Sequence, residues 1–314
     1  MRRASALIAI PLLAAFAVVG CGSSSTTAAS SNASVTATGK FGAAPKVTIP
    51  ASKPGTTLFT KTLITGSGAA VTTSDSFVGN YVAYVWSGTT HKLATSTYSE
   101  TPALFTGTLL TGLKDALKNA TVGSRVLAVI PPKDGFGSSG DSSLGISGSD
   151  TLVFVIDVVQ AYGNTQAATG SKVSTGGGSL PTVSAAATNP TVTIPKATAP
   201  TALVTKTLIQ GTGTTVAKND YVVVQYTGVI WRTGKVFDSS WSRSEPFGTV
   251  LSTSDVIAGW VDGLAGQKVG SRVMLVIPPK DGYGSTGASS AGIKGTDTLV
   301  FVVDILGAFS STTS

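Results

Sequence analysis

The chain has 314 residues, of which only 12% are charged, against 37 glycines and long Ser/Thr/Ala tracts. Its formal charge of +7 comes from Lys and Arg scattered along the chain, with no basic run or basic-aromatic alternation of the kind that tracks phosphates. Nucleic acid is thereby excluded as a partner, a single cysteine excludes an internal disulfide, and the length suits roughly two domains of about 150 residues.

In chain order, Arg2 and Arg3 precede an apolar run from Ala6 to Val19 that ends at Val19-Gly20-Cys21, the pattern of a secretion signal over residues 1–21. The run of about 14 residues is short for crossing a bilayer. The Val-Val-Gly-Cys junction resembles the bacterial lipobox, with Val18 where that motif usually has Leu. This resemblance implies that Cys21 is the lipidation site and that the mature chain is extracytoplasmic, tethered to the cell membrane. Residues 22–44 are Ser, Thr, Ala and Gly, too poor in large apolar side chains to fold alone, and predict a disordered stalk. A similar stretch, 164–191, predicts a linker, and 310–314 a short tail.

Between these lie two copies of one unit, 45–163 and 192–309, at offsets of roughly 140 to 147 residues. The run VTIP recurs at Val47 and Val192, TKTLI at Thr60 and Thr205, VGSRV at Val122 and Val269, and DTLVFV at Asp150 and Asp297. Copies of about 115 residues are compact domains; solenoid repeats are shorter and stack. In the second copy, Thr201 to Ile209, Tyr221 to Ile230, Arg272 to Ile277 and Asp297 to Leu306 are β-branched, aromatic-rich runs bounded by Gly, Asn, Asp and Pro, which predict strands. Ile257, Trp260, Val261 and Leu264 fall at i, i+3, i+4 and i+7 after a Ser-Thr-Ser-Asp run that offers N-caps, with Gly266 as a stop. One short amphipathic helix follows. With no other helical crossover, the fold class is α+β: two domains, each an antiparallel sheet wrapped around one short helix.

The second copy carries Tyr226-Thr227-Gly228, Phe237-Asp238-Ser239-Ser240, Arg243, Pro246-Phe247, Val256-Ile257-Ala258-Gly259-Trp260, Pro278-Pro279 and Tyr283-Gly284 in that order. It resembles the FKBP-type peptidyl-prolyl cis-trans isomerases over essentially all of residues 200–309. The resemblance implies catalytic roles for Tyr226, Asp238 and Tyr283. It also implies a proline pocket floored by Trp260 and walled by Phe237, Phe247, Val256, Ile257, Ile293 and Phe301, with the Ile257 amide and the Tyr283 phenol as donors. Two departures stand out. The loop Ser285 to Gly295 lacks the family's Pro-rich signature, and Asp255 stands where a Glu is common. No metal or cofactor is required. The implied partners are proline-containing unfolded or partly folded secreted proteins, with the family's macrolide inhibitors as ligands to test.

Aligned on the shared runs, the first copy sets Trp86 against Tyr226, Leu113 against Trp260 and Phe136 against Tyr283. It sets Leu93 to Ser99 against the Phe237-Asp238 segment and Pro102-Ala103 against Pro246-Phe247. Framework residues survive, Gly123, Pro131, Pro132, Gly135, Gly137 and Thr151 to Phe154 among them, while the copies differ at the positions just named, so the first copy is expected to be a degenerate domain and the second the isomerase. The alternatives are a non-catalytic peptide-binding chaperone or an envelope scaffold. The lone His91, with no accompanying Cys, Asp or Glu cluster, reads as a solvated loop residue.

Overall fold

The alternating apolar runs assemble into two antiparallel sheets in a computed structural model, which describes residues 31–72, 75–106 and 109–310. The expectations placed on the leader, on Cys21 and on most of the tail lie outside the described residues.

The predicted stalk carries β1 (Thr36–Thr38), which forms a small hairpin with β2 (Lys46–Thr48) of the first copy, followed by β3 (Phe59–Ile64), β4 (Ser76–Ser87), β5 (Thr90–Ser96) and β6 (Ala103–Phe105). Helix α1 (Thr111–Leu117), β7 (Arg125–Ile130) and β8 (Thr151–Tyr162) complete it. The sheet order is β3-β7-β8-β4-β5, with β6 beside β4. Ahead of the second sheet run three two-residue strands, β9 (Ser171–Lys172), β10 (Thr182–Val183) and β11 (Val192–Thr193). Then come β12 (Val204–Gln210), β13 (Tyr221–Ile230), β14 (Val236–Ser239), β15 (Phe247–Val250), α2 (Ala258–Leu264), β16 (Arg272–Ile277) and β17 (Leu299–Phe309). Their order is β14-β13-β17-β16-β12-β9, with β15 beside β13, so the two copies share one topology.

Helix α2 forms where its spacing predicts, burying Trp260, Val261 and Leu264 against the sheet, and Gly266 ends it at φ +86°. The Ser-Thr-Ser-Asp run does not cap it. Ile257 is the N-cap and makes no side-chain cap, while the Ser252 hydroxyl donates to Asp255 in the preceding turn.

Neither the predicted stalk nor the predicted linker is free over the described residues. Buried Asn32 donates to the carbonyls of Gly55 (3.2 Å) and Thr57 (2.7 Å), and the Gly42 amide donates to Asp157 at 2.7 Å. In the segment expected to be a linker, the Ala168 amide donates to Asp304 at 2.9 Å and β9 pairs with β12. Both segments lie on the outer face of their sheet. Val35 and Ile49 pack with Trp86, Leu127 and Val153, and Val183 packs with Trp231, Met274 and Val300.

Two buried ion pairs clasp these straps. Arg125 bonds Asp157 at 2.6 and 2.7 Å and extends to the Ala43 carbonyl at 2.6 Å. Arg272 bonds Asp304 at 2.6 and 2.8 Å and reaches the carbonyls of Ala186 and Ala187 at 2.7 and 2.6 Å. Low apolar content means such a segment cannot make its own core. A few valines and isoleucines suffice when an apolar sheet face already exists to receive them.

The two domains also meet directly. Val78 and Tyr162 of the first share a buried cluster with Val223 and Leu306 of the second, and Leu104, Val159, Tyr221 and Phe309 pack around it.

Candidate active site

Strand β13 presents Tyr226 to the inner face of the second sheet, and its neighbours fix it there. The Tyr226 amide donates to the Ser240 hydroxyl at 2.8 Å, which holds β13 against the end of β14. Register pairs Gly228 with Asp238, placing that carboxylate beside the Tyr226 phenol, and the phenol donates to it. Arg243 closes the triangle by donating to Asp238 and, at 3.0 Å, to the Tyr226 oxygen, with its guanidinium carbon 5.7 Å from the tyrosine ring centre. Gly228 allows this geometry. A Cβ there would lie 2.7 Å from the Phe237 ring and 3.0 Å from that of Phe301, so any side chain would push both rings out.

Burial, reinforced by the bond to Asp238, pushes the Tyr226 phenol up to about 12. For Asp238 burial pulls upward, but hydrogen bonds from Tyr226 and Arg243 outweigh it and hold the carboxyl below its ordinary value. Around neutral pH the group is therefore a neutral phenol between a carboxylate and a guanidinium.

Trp260 on α2 forms the floor at 4% exposure. Its ring meets those of Tyr226 and Phe301 edge-on, each at 5.3 Å, and that of Phe247 at 6.3 Å. Such pairs contribute about 0.5–1.5 kcal/mol each beyond the area they bury. Together they bound a half-open cavity of about 580 Å³, lined by Tyr226, Phe237, Asp238, Phe247, Val256, Ile257, Trp260, Tyr283 and Phe301. Tyr283 stands at the rim, 41% exposed. The amide of Ile257, as the N-cap, lies outside the helix's own hydrogen-bond ladder.

Of the residues expected to line the pocket, Ile293 alone is not there. It is 3% exposed within the core, and its backbone pairs with Ala288 at 2.9 and 3.0 Å. The loop between Tyr283 and β17 folds back on itself through that bridge and draws Ile293 inward. Sequence reasoning missed Thr253, Ser254, Asp255, Ala258 and Gly282, which complete the lining. The Ser-Thr-Ser-Asp run does not cap α2, and three of its residues, Thr253, Ser254 and Asp255, stand at the rim instead.

The first copy needs one correction. Tyr226 pairs with Val303, and at the equivalent place Tyr81 pairs with Ile156, so Tyr81, not Trp86, is the counterpart of Tyr226. Trp86 matches Trp231 instead, each indole donating to a strap carbonyl, Ser52 at 3.0 Å and Ala197 at 3.2 Å. Matching Trp-Ser-Gly to Tyr-Thr-Gly slips the strand by an odd number of residues, which exchanges its faces.

The remaining differences stand and are extended by one. Register puts Thr95 at the Asp238 position and Ala103 at the Phe247 position. Glu100, whose amide bonds Thr97 as that of Arg243 bonds Ser240, reverses the arginine's charge. Phe105 packs edge-on against Tyr81 at 5.3 Å and stacks on Phe77 at 4.6 Å. Leu113 lies in the same packed cluster.

An antiparallel sheet around one short helix, with an aromatic cavity that has polar groups at one edge, defines an α+β module with a pocket for an apolar group. The chain belongs to the FKBP-type peptidyl-prolyl cis-trans isomerase family, whose model matches residues 68–159 and 212–306. It is 38% identical to an FK506-binding protein of Streptomyces anulatus over 117 residues, 37% of this chain and 94% of the relative. To a probable FK506-binding protein of Corynebacterium glutamicum it is 40% identical over 119 residues, 38% of this chain and 98% of the relative. Among solved structures, it matches that of FkpA from Escherichia coli at 38% identity over 35% of this chain and 49% of that one, with a TM-score of 0.32. The protein is a peptidyl-prolyl cis-trans isomerase.

Proposed function

We propose that the second domain performs the isomerisation and the first does not, and that the protein acts on proline-containing segments of unfolded or partly folded proteins outside the cytoplasm. The observation that carries the assignment is the open cavity over Trp260, set against the packing of Leu113 and Phe105 at the equivalent place.

Rotation about an X-Pro bond must break amide resonance, a barrier of about 18–20 kcal/mol. No covalent bond is made or cut. The proline ring enters over Trp260 between Phe247 and Phe301, where little water follows it. A twisted amide has less charge separation than a planar one, so this surrounding disfavours the planar ground state relative to the twisted state. The Ile257 amide and the Tyr283 hydroxyl hold the substrate carbonyls, fixing the geometry in which rotation occurs. The Tyr226-Asp238-Arg243 triangle keeps the polar wall rigid, so little reorganisation accompanies the twist. Macrolides that present a proline-like ring compete for the same space.

Arg2-Arg3, the apolar run and Cys21 support the membrane-tethered, extracytoplasmic reading. Metabolic labelling with a fatty acid, lost on Cys21→Ser, is the expected outcome; equal labelling of both proteins removes the anchor.

Cis-to-trans isomerisation of a short proline peptide, followed with residues 164–314 and with residues 31–163, tests the domain assignment. The first fragment retains the strap that its sheet binds, and is expected to keep the activity of the whole chain. Comparable turnover by residues 31–163 would place the activity elsewhere.

A further inference from the structure

We propose that the first domain supplies part of the substrate site, through a groove between the domains that receives the client residues flanking the bound proline. This rests on the reading that the cavity over Trp260 holds proline. Phe247 lines that cavity and also a second space of about 260 Å³, whose other side comes from Leu104 and Thr106 of the first domain. A chain leaving the cavity past Phe247 therefore enters a groove whose far wall belongs to the other copy.

The fold fixes the width of this groove. The Leu104 amide donates to the Tyr221 hydroxyl at 3.2 Å, joining β6 of the first domain to β13 of the second. A Cβ on Gly248 would stand 2.3 Å from the Tyr221 oxygen and 3.0 Å from Leu104 Cβ, so a side chain there would force the domains apart. Behind this contact lies the buried interdomain cluster, which packs the two walls against one another.

The lining matches an extended polypeptide better than a small ion or sugar. Leu104 and Phe247 offer apolar surface to a neighbouring side chain, while Arg243 and Glu245 bring opposite charges that suit backbone amides and carbonyls alike. Arg243, 45% exposed, also bonds Asp238 and so links groove and cavity. The groove begins at Phe247, on the wall of the cavity itself, so it takes the residues next to the proline.

The test uses the full chain and two substrates, a proline tetrapeptide and the same sequence extended on both sides, with Thr106→Trp to fill the groove. The ratio of kcat/KM for the long peptide to that for the short one should fall roughly fivefold or more in the variant, the scale of one lost side-chain contact. An unchanged ratio overturns the groove assignment while leaving the cavity intact. Absence of turnover of either peptide by the wild-type chain instead overturns the underlying reading. As a measurement independent of the variant's folding, a photoreactive residue close to the proline of the long peptide should label residues 103–106 of the wild-type chain. Labelling confined to the second domain contradicts the proposal.

Discussion

At the scale of single residues, the polar edge of the cavity makes a pH prediction. Asp238 has a folded-state pKa below its unfolded value of about 3.9. Its contribution is complete above that value and is lost as pH falls through the depressed one. Tyr226 is pushed up to about 12, so its contribution is complete below the unfolded value of about 10 and is lost as pH rises through about 12. The kcat/KM for a peptide without titrating groups should therefore be flat between about pH 5 and 9. A bell centred near neutrality would show that a different group titrates in the reaction. These residues were legible in the sequence because Tyr226, Asp238, Trp260 and Tyr283 occur as a set in family order. Ile293 was misplaced because a hydrogen-bonded loop turns it inward; Gly287 and Gly292, both at positive φ, and Gly295, where a Cβ would lie 1.9 Å from the Ser285 carbonyl, are the local signal for that turn. The single hydroxyl separating Tyr283 from Phe136 gains meaning only from its place at the cavity rim, where Tyr283 is 41% exposed.

At the scale of elements, the straps were the part least legible. Their composition is that of linkers, and the fact that decides their fate lies in other strands. Strands β7, β8, β16 and β17 read RVLAVI, TLVFVIDV, RVMLVI and LVFVVDIL, nearly continuous apolar runs. Such runs belong to sheets covered on both faces, which requires something to cover the outer one. Arg125 and Arg272 within those runs were the second signal, since a buried arginine demands partners. Arg272→Met leaves Asp304 buried without its ion-pair partner and removes the donors to Ala186 and Ala187. It should cost about 3–5 kcal/mol in urea unfolding, of which Arg272→Met with Asp304→Leu recovers the part due to the unpaired carboxylate but not the lost bonds to Ala168, Ala186 and Ala187. A loss below about 1 kcal/mol, typical of an exposed pair, would mean that the strap is not clasped in this way.

At the scale of the whole molecule, duplication has preserved what holds the sheet and strap together and changed what makes a pocket. The α+β architecture, the two copies and the position of each helix follow from repeated runs and a 3.6-residue period. The register of β4 did not, because two aromatic-hydroxyl-glycine triplets offered a false match five residues out of step. Correcting it leaves Tyr81 in the first domain as the one retained pocket aromatic on that strand, without the carboxylate, arginine or indole that give Tyr226 its setting. In the proposed division of labour the second cavity carries turnover and the first domain shapes the approach to it. The most direct measurement is the isomerisation rate of a proline tetrapeptide by the full chain carrying either Trp260→Leu or Leu113→Met. Trp260→Leu copies the residue of the first domain into the second and should lower kcat/KM at least tenfold, about 1.4 kcal/mol of lost transition-state stabilisation, while Leu113→Met leaves the rate as it was. Turnover that survives Trp260→Leu, or that falls with Leu113→Met, would contradict the account.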